Sequence, residues 1–111
     1  MKFEKTIPPR RFVVGKSKIS ISDTASIFLQ DDEQVTFKTD QGAEYDVCRK
    51  NWGYYATPSI NGRLSNFGYK TALVKNEDTG MLYVMLVEKH KIPEFQGYLD
   101  KEALILHSWL A

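Results

Sequence analysis

The feature that most constrains the fold is a pair of β-rich runs, residues 71–75 and 81–87, separated by a short turn. The intervening residues 76–80 include asparagine, aspartate and glycine, which favour reversal of the chain. Both runs have strand length, which indicates an antiparallel hairpin. Every residue from 81 to 87 is apolar, so we expect this run to be a central strand covered on both faces.

Shorter alternating runs predict further strands near the N-terminus. Residues 12–14 are apolar, and residues 18–22 alternate polar and apolar side chains, as a half-buried strand does. Asp23 and Thr24 predict a turn, and residues 26–29 predict a separate strand after it.

A second hairpin is predicted in the middle of the chain. Val35 and Phe37 alternate with polar residues before the sequence Asp40-Gln41-Gly42, and Tyr45 and Val47 alternate with polar residues after it. Two β-rich runs joined by a short glycine-containing turn are typical of a hairpin.

One helix is predicted near residues 93–101. It begins at Pro93, where the first helical turn tolerates a proline, and Phe95, Tyr98 and Leu99 share one face at helical spacing. The pattern leaves open whether residues 102–110 form a closing strand or continue the helix, and the strand is favoured.

These elements predict a mainly β fold (β-rich α+β). We expect a small antiparallel sheet or a partly open barrel of six to eight strands, with one short C-terminal helix near residues 93–101. The length of 111 residues fits a single globular domain, residues 11–111. Residues 1–10 are expected to form an extended N-terminal arm, because Pro8 and Pro9 fix φ and lack an N–H donor.

Composition limits the compartment and the covalent chemistry. Cys48 is the only cysteine, so no intramolecular disulfide and no multi-thiolate zinc site can form. Residues 1–10 contain no apolar run of signal-peptide length. The longest apolar run, residues 81–87, is too short for a membrane span. We expect a soluble cytoplasmic protein with no membrane partner.

The stretch most informative about function is residues 49–70, which we call the basic aromatic segment. It lies within residues 47–76, which contain five lysines and arginines, five aromatic residues and no aspartate or glutamate. Asn61-Gly62 predicts a tight turn that presents Arg63 to solvent. Aromatic rings, amides and arginine together suit a flat or anionic ligand. The candidate ligand-binding residues are Arg49, Trp52, Tyr54, Tyr55, Asn61, Arg63, Asn66 and Lys70.

The same residues have a purely structural interpretation. Large loops in small β proteins are often packed by their own side chains, so these aromatics would cap one end of the sheet. The glycines match no phosphate-binding fingerprint, and no helix is predicted after them.

Charge alternates in blocks along the chain. Residues 1–18 carry six cations and one acid, residues 23–46 seven acids and one cation, and residues 77–111 six acids and three cations. The net charge of +1 provides no general attraction to nucleic acid or membrane. Two interpretations are open: oppositely charged strands pair across the sheet, or the cations form one basic face.

No catalytic or metal-binding signature stands out. Cys48 with His90 or His107 is the one conceivable nucleophile and base, and nothing in the sequence brings them together. A lone strand cysteine is typically a small buried side chain. Glu44 and Asp46 share a strand face and are typical of a solvated or salt-bridged surface. We therefore expect a non-catalytic protein with no cofactor and no metal.

The sequence predicts a binding or accessory protein whose ligand is a phosphorylated or sugar-containing small molecule held by the basic aromatic segment. One alternative is a module for single-stranded nucleic acid, which binds through stacked aromatics and cations, although the near-neutral charge is low for one. Another is a protein assembly or scaffold protein that uses the same segment, the N-terminal arm and the apolar tail at Trp109 and Leu110. A homodimer is compatible with these features.

Overall fold

The computed structural model describes all residues, 1–111. The strands are β1 (Lys2–Val14), β2 (Ile19–Phe28), β3 (Gln34–Lys38), β4 (Glu44–Lys50), β5 (Gly53–Thr57), β6 (Tyr69–Asn76), β7 (Leu82–Glu88) and β8 (Leu104–Trp109). The helices are α1 (Arg63–Asn66) and α2 (Ile92–Glu102), with a 3-10 turn at Lys89–Lys91. Strands hold 55% of the residues and helices 16%, which confirms the mainly β class. The strands form three separate antiparallel sheets and do not close into a barrel.

The central sheet has the order β3-β4-β5. Its first two strands are the predicted hairpin, in which Val35 pairs with Val47 and Phe37 with Tyr45. Strand β5 pairs with the other side of β4 and was not predicted. Because Tyr54 and Tyr55 are adjacent, β5 lacks the alternation of polar and apolar residues by which a half-buried strand is recognised.

The C-terminal sheet has the order β7-β6-β8. The predicted pairing of residues 71–75 with residues 81–87 is confirmed, but the prediction that residues 81–87 form the central strand is wrong. Strand β6 is central, because β8 pairs along its other side. Strand β7 lies at the edge, and its Leu82 and Val84 side chains are 55% and 62% exposed.

Helix α2 covers one face of this sheet and creates the core. The predicted helix is confirmed within one residue at each end. Its Leu99 is fully buried against Ala72, Val74 and Val87. The helix ends at Ala103, which adopts a left-handed conformation, and its N–H donates to the Leu99 carbonyl. That reversal starts β8, so the strand interpretation of the tail is confirmed. Neither α-helix combines the length and apolar content that a membrane span requires.

Strands β1 and β2 form a long hairpin that stands apart from the other two sheets. Residues 1–10, expected as an arm, are extended and mostly lie in β1, where residues 2–5 and 10–14 pair with β2. The pairing is interrupted between Lys5 and Arg10, where Pro8 and Pro9 have no N–H to donate. The predicted turn at Asp23 and Thr24 is wrong, because β2 runs through both residues.

Glu102 holds the tip of this hairpin against the end of α2. Its buried carboxylate accepts hydrogen bonds from the Ser17 backbone N–H at 3.1 and 3.2 Å. Gly15 has φ +77, and a Cβ there would collide with that carboxylate. Glycine is therefore required at this position both by conformation and by space.

We expect the Glu102 contact to make stability depend on pH. The backbone hydrogen bond from Ser17 lowers the pKa of Glu102 below its ordinary value of 4.5. Its contribution to stability is therefore complete above the unfolded pKa and is lost as pH falls through the folded pKa. Glu102→Gln should lower Tm at pH 7, and the Tm difference from the wild type should shrink toward pH 3. A difference that stays constant with pH, or an equal loss in the exposed control Glu77→Gln, would contradict this assignment.

Candidate binding surface

The structure distributes the eight candidate residues over four elements and two turns. Arg49 lies in β4, Tyr54 and Tyr55 in β5, and Trp52 in the turn between these strands. Asn61 lies in the turn before α1, Arg63 and Asn66 in α1 itself, and Lys70 in β6. The sequence predicted no helix after Asn61-Gly62, but the chain forms the single turn α1 there.

Alternation along β5 sends the two tyrosines to opposite faces of the central sheet. Tyr55 pairs with Cys48 and Tyr54 with Arg49. We call the face with Tyr55 the front face and the face with Tyr54 the back face. A small ligand on one face cannot contact both tyrosines, so the candidate residues do not form one site.

The front face carries a pair of exposed aromatic rings. The ring centroids of Trp52 and Tyr55 lie 6.3 Å apart, with an interplanar angle of 18°. The two residues are 69% and 43% exposed. Their near-parallel rings project from the sheet and leave a broad π surface open to solvent.

Beside this pair, the front face contains a buried carboxylate. Asp46 is 5% exposed and accepts hydrogen bonds from the Thr36 and Thr57 hydroxyls at 2.6 and 3.1 Å. The Arg63 guanidinium lies 3.8 Å from it. The sequence placed Asp46 on a solvated or salt-bridged face; its burial depends on β3 and β5 flanking it, which only the fold shows.

On the back face, Arg49 interacts with Tyr54 and closes over its ring. The guanidinium carbon is 5.0 Å from the ring centroid, and Nη1 donates to the tyrosine hydroxyl at 3.0 Å. Farther along this face, Phe37 and Tyr45 line a cavity of ≈ 250 Å³ with Leu64 and Leu86. The back face therefore turns partly toward α1 and the C-terminal sheet.

Three of the four cations of the segment lie beside acids from the preceding block. Lys50 contacts Asp32, Arg49 lies 3.9 Å from Asp31, and Arg63 lies near Asp46 as described above. The interaction with Asp32 raises the pKa of Lys50 above its ordinary value. These three contacts agree with the interpretation that oppositely charged blocks pair.

Three other candidates, Lys70, Asn61 and Asn66, are not part of the aromatic pair. The Lys70 ammonium is 4.2 Å from the ring centroid of Trp109, which also packs on Phe95 at 5.9 Å. Trp109 packs against the C-terminal core, and Lys70 lies over its ring. Asn61 and Asn66 are exposed.

Cys48 is buried on the front face beneath this surface. Its thiol donates to the Arg49 carbonyl at 3.7 Å. Cys48 also pairs with Tyr55 across the strands, and this proximity raises the pKa of the phenol above its ordinary value. His90 lies in the 3-10 turn and His107 in β8, so neither belongs to the sheet that holds the thiol. No group of three or more histidine, cysteine, aspartate or glutamate side chains has the arrangement of a metal site.

Three cavities lie away from the candidate residues. One, of ≈ 570 Å³, is a cleft between the hairpin tip and the α2 side of the C-terminal sheet, with Val14, Tyr83 and Tyr98 in its walls. Neither this cleft nor the other two cavities, of ≈ 250 and ≈ 590 Å³, is lined by any of the eight candidates. The aromatic pair lies outside all three and is open to solvent.

Comparisons with protein-family models, with curated proteins and with solved structures found no match to this chain. The functional argument therefore depends on the geometry of this molecule alone.

Proposed function

We propose that this chain is a small, non-catalytic accessory protein that binds a partner protein through its front aromatic surface, formed by Trp52, Tyr55 and Arg63. The observation that carries the proposal is the exposed, near-parallel pair of Trp52 and Tyr55, which lies outside the main cavities. Small-molecule sites are usually concave and bury most of the ligand. Protein interfaces can be flat, and their strongest contacts come mainly from Trp, Tyr and Arg.

The charges around the surface support a protein partner over an anionic polymer. Arg63 is oriented by the buried Asp46, and Lys50 is held by Asp32. Paired charges of this kind add specificity at the rim of an interface and provide little long-range attraction. A nucleic acid would approach Asp31 and Asp32 as well as the cations, which weakens its electrostatic gain.

Strand β5 provides a matched pair of variants for testing this function. Tyr55→Ala removes an aromatic side chain from the front face, and Tyr54→Ala removes the same side chain from the back face of the same strand. Partner proteins captured from a lysate of the source cells by the wild type would be identified by mass spectrometry, and their Kd measured with purified proteins. We expect Trp52→Ala or Tyr55→Ala to weaken binding about 30-fold, which corresponds to a hot-spot contribution of about 2 kcal/mol.

Tyr54→Ala should bind the partner within about threefold of the wild type, because it leaves the front face intact. Far-UV circular dichroism of each variant separates lost binding from lost folding. Equal affinity in the wild type, Trp52→Ala and Tyr55→Ala would refute a role for this surface.

A second candidate is the phosphorylated or sugar-containing small molecule that the sequence predicts. One observation favours it: the Trp52 and Tyr55 rings are close to parallel and can stack on a flat ligand, with Arg63 on the same face. Saturable quenching of tryptophan fluorescence by a nucleotide sugar, abolished in Arg63→Ala, would support this candidate over the protein partner. Binding of a single-stranded oligonucleotide with a steep salt dependence would support nucleic acid.

A further inference from the structure

The β1–β2 hairpin has one apolar face with no core behind it. Cross-strand pairs such as Phe12 with Ile21 put most of the apolar side chains on the same side. This face carries Phe3, Phe12, Val14, Ile19, Ile21, Ala25 and Ile27, together with Lys5 and the Arg10–Asp23 ion pair. The other face carries Ser20, Ser22, Thr24 and Ser26, with Val13 and Phe28 at its ends. None of these residues belongs to the core cluster around Leu99. A two-stranded hairpin without such packing is at best marginally stable in water.

The C-terminal sheet has a second apolar face that is covered only in part. Helix α2 packs on the side that carries Met85 and Val87. On the opposite side, Thr71 is buried and Leu86 lines the cavity with Phe37 and Leu64. The rest of that side carries Leu82, Val84, Leu73 and Ile105, and we call this part the open sheet face. Leu82, Val84 and Ile105 are exposed, although apolar residues on a sheet face normally pack against another layer.

The hairpin does not cover the open sheet face of its own chain. Its tip is held at Glu102, and Val14 lines the cleft with Tyr83 and Met85, which lie on the helix side of the sheet. At the other end, the Met1 amino group forms an exposed salt bridge with Glu33, at 2.9 Å. Leu82 and Val84 lie on the opposite side of the sheet from the hairpin tip.

We propose that a second copy of this chain covers the open sheet face with the apolar face of its hairpin, and that the contact is repeated by a two-fold axis. The contact between hairpin and open sheet face then occurs twice, so the hairpin and the open sheet face of each copy are both covered. The closed pairing of two copies is the commonest symmetry of soluble oligomers. This interface is separate from the front aromatic surface and does not depend on the proposed function.

The exposed area fits the size of a permanent dimer. The accessible surface is 7975 Å², whereas a compact monomer of this mass exposes about 6,300 Å². The excess of about 1,700 Å² per copy, or about 3,400 Å² for two, lies in the range of about 2,000–5,000 Å² typical of permanent homodimers. The radius of gyration, 15.7 Å, also exceeds the value of about 13 Å for a compact domain of this length.

Sedimentation equilibrium of the full chain tests the dimer. The wild type should have twice the 12.8 kDa mass of the chain. Val84→Asp should sediment as a monomer, because it puts a charge into the interface at a site that is exposed within one copy. Tyr54→Asp, at an equally exposed residue outside both faces, should remain a dimer. A monomeric wild type at high protein concentration, or a dimeric Val84→Asp, would overturn the proposal.

Cross-linking identifies which faces meet. Packed sheets lie about 10 Å apart, which is beyond the reach of a disulfide, so a bismaleimide with a spacer of similar length is the suitable probe. In a Cys48→Ser background, mixed Ile21→Cys and Val84→Cys chains should cross-link to each other at least tenfold more than either variant alone. Self-linking of Val84→Cys, self-linking of Ile21→Cys, or no linking in the mixture would each overturn the proposed pairing.

Discussion

Leu99→Ala is expected to lower the free energy of unfolding by about 2–5 kcal/mol, because it removes buried methyl groups and leaves a cavity that α2 cannot close. Leu99 has 0% exposure and connects the helix to Ala72, Val74 and Val87 of the sheet. Urea denaturation followed by circular dichroism measures the change directly from the transition midpoint and slope.

Leu110→Ala is the matched control for this substitution. The side chain removed is the same, but Leu110 is about half exposed and lies beyond the end of β8. Its loss should cost less than about 1 kcal/mol. Equal costs at Leu99 and Leu110 would show that the core does not lie between α2 and β6.

Asp46→Ala is expected to cost about 1.5–3 kcal/mol, the range for hydrogen bonds to a charged group. The carboxylate joins all three strands of the central sheet, since Thr36 lies in β3 and Thr57 in β5. Its removal also leaves Arg63 without the acid that orients it. Denaturant unfolding measures the change in stability, and partner binding measures the effect of leaving Arg63 without its acid.

Two further variants show whether the loss of stability comes from the buried network of Asp46 or from removing a charge on this strand face. Asp46→Asn keeps one hydrogen-bond acceptor without the charge, so it should be less destabilising than Asp46→Ala. Glu44→Gln alters the same strand face at a surface ion pair with Lys38, 3.4 Å long, and such pairs contribute about 0–1 kcal/mol. A cost at Glu44 as large as that at Asp46 would mean that the buried network has no special role in the sheet.

Local sequence pattern predicted the elements that local physics controls. The hairpin around Asp40-Gln41-Gly42, the pairing of β6 with β7, and α2 after Pro93 all follow from residues close together in the chain. Side-chain alternation, turn residues and helix caps act over a few residues, so they can be detected in a short stretch of sequence. The absence of a disulfide follows from Cys48 alone.

Within the candidate site, the sequence identified the exposed aromatics but not their arrangement. Tyr54 and Tyr55 were grouped in one ligand site, yet β5 turns them to opposite faces. Asp46 was assigned to a solvated or salt-bridged surface, although it organises the front face from a buried position. Both outcomes depend on which strands flank β4.

The sequence by itself determined the mainly β class, the position of the helix and the aromatic character of residues 49–70. Only the tertiary structure decided that β6 is central, that Val84 is exposed and that Arg63 pairs with Asp46. Those results depend on contacts between residues far apart in the chain, such as β6 with β8. The periodicity of the sequence shows which face of a strand is apolar, but it does not show which distant element covers that face.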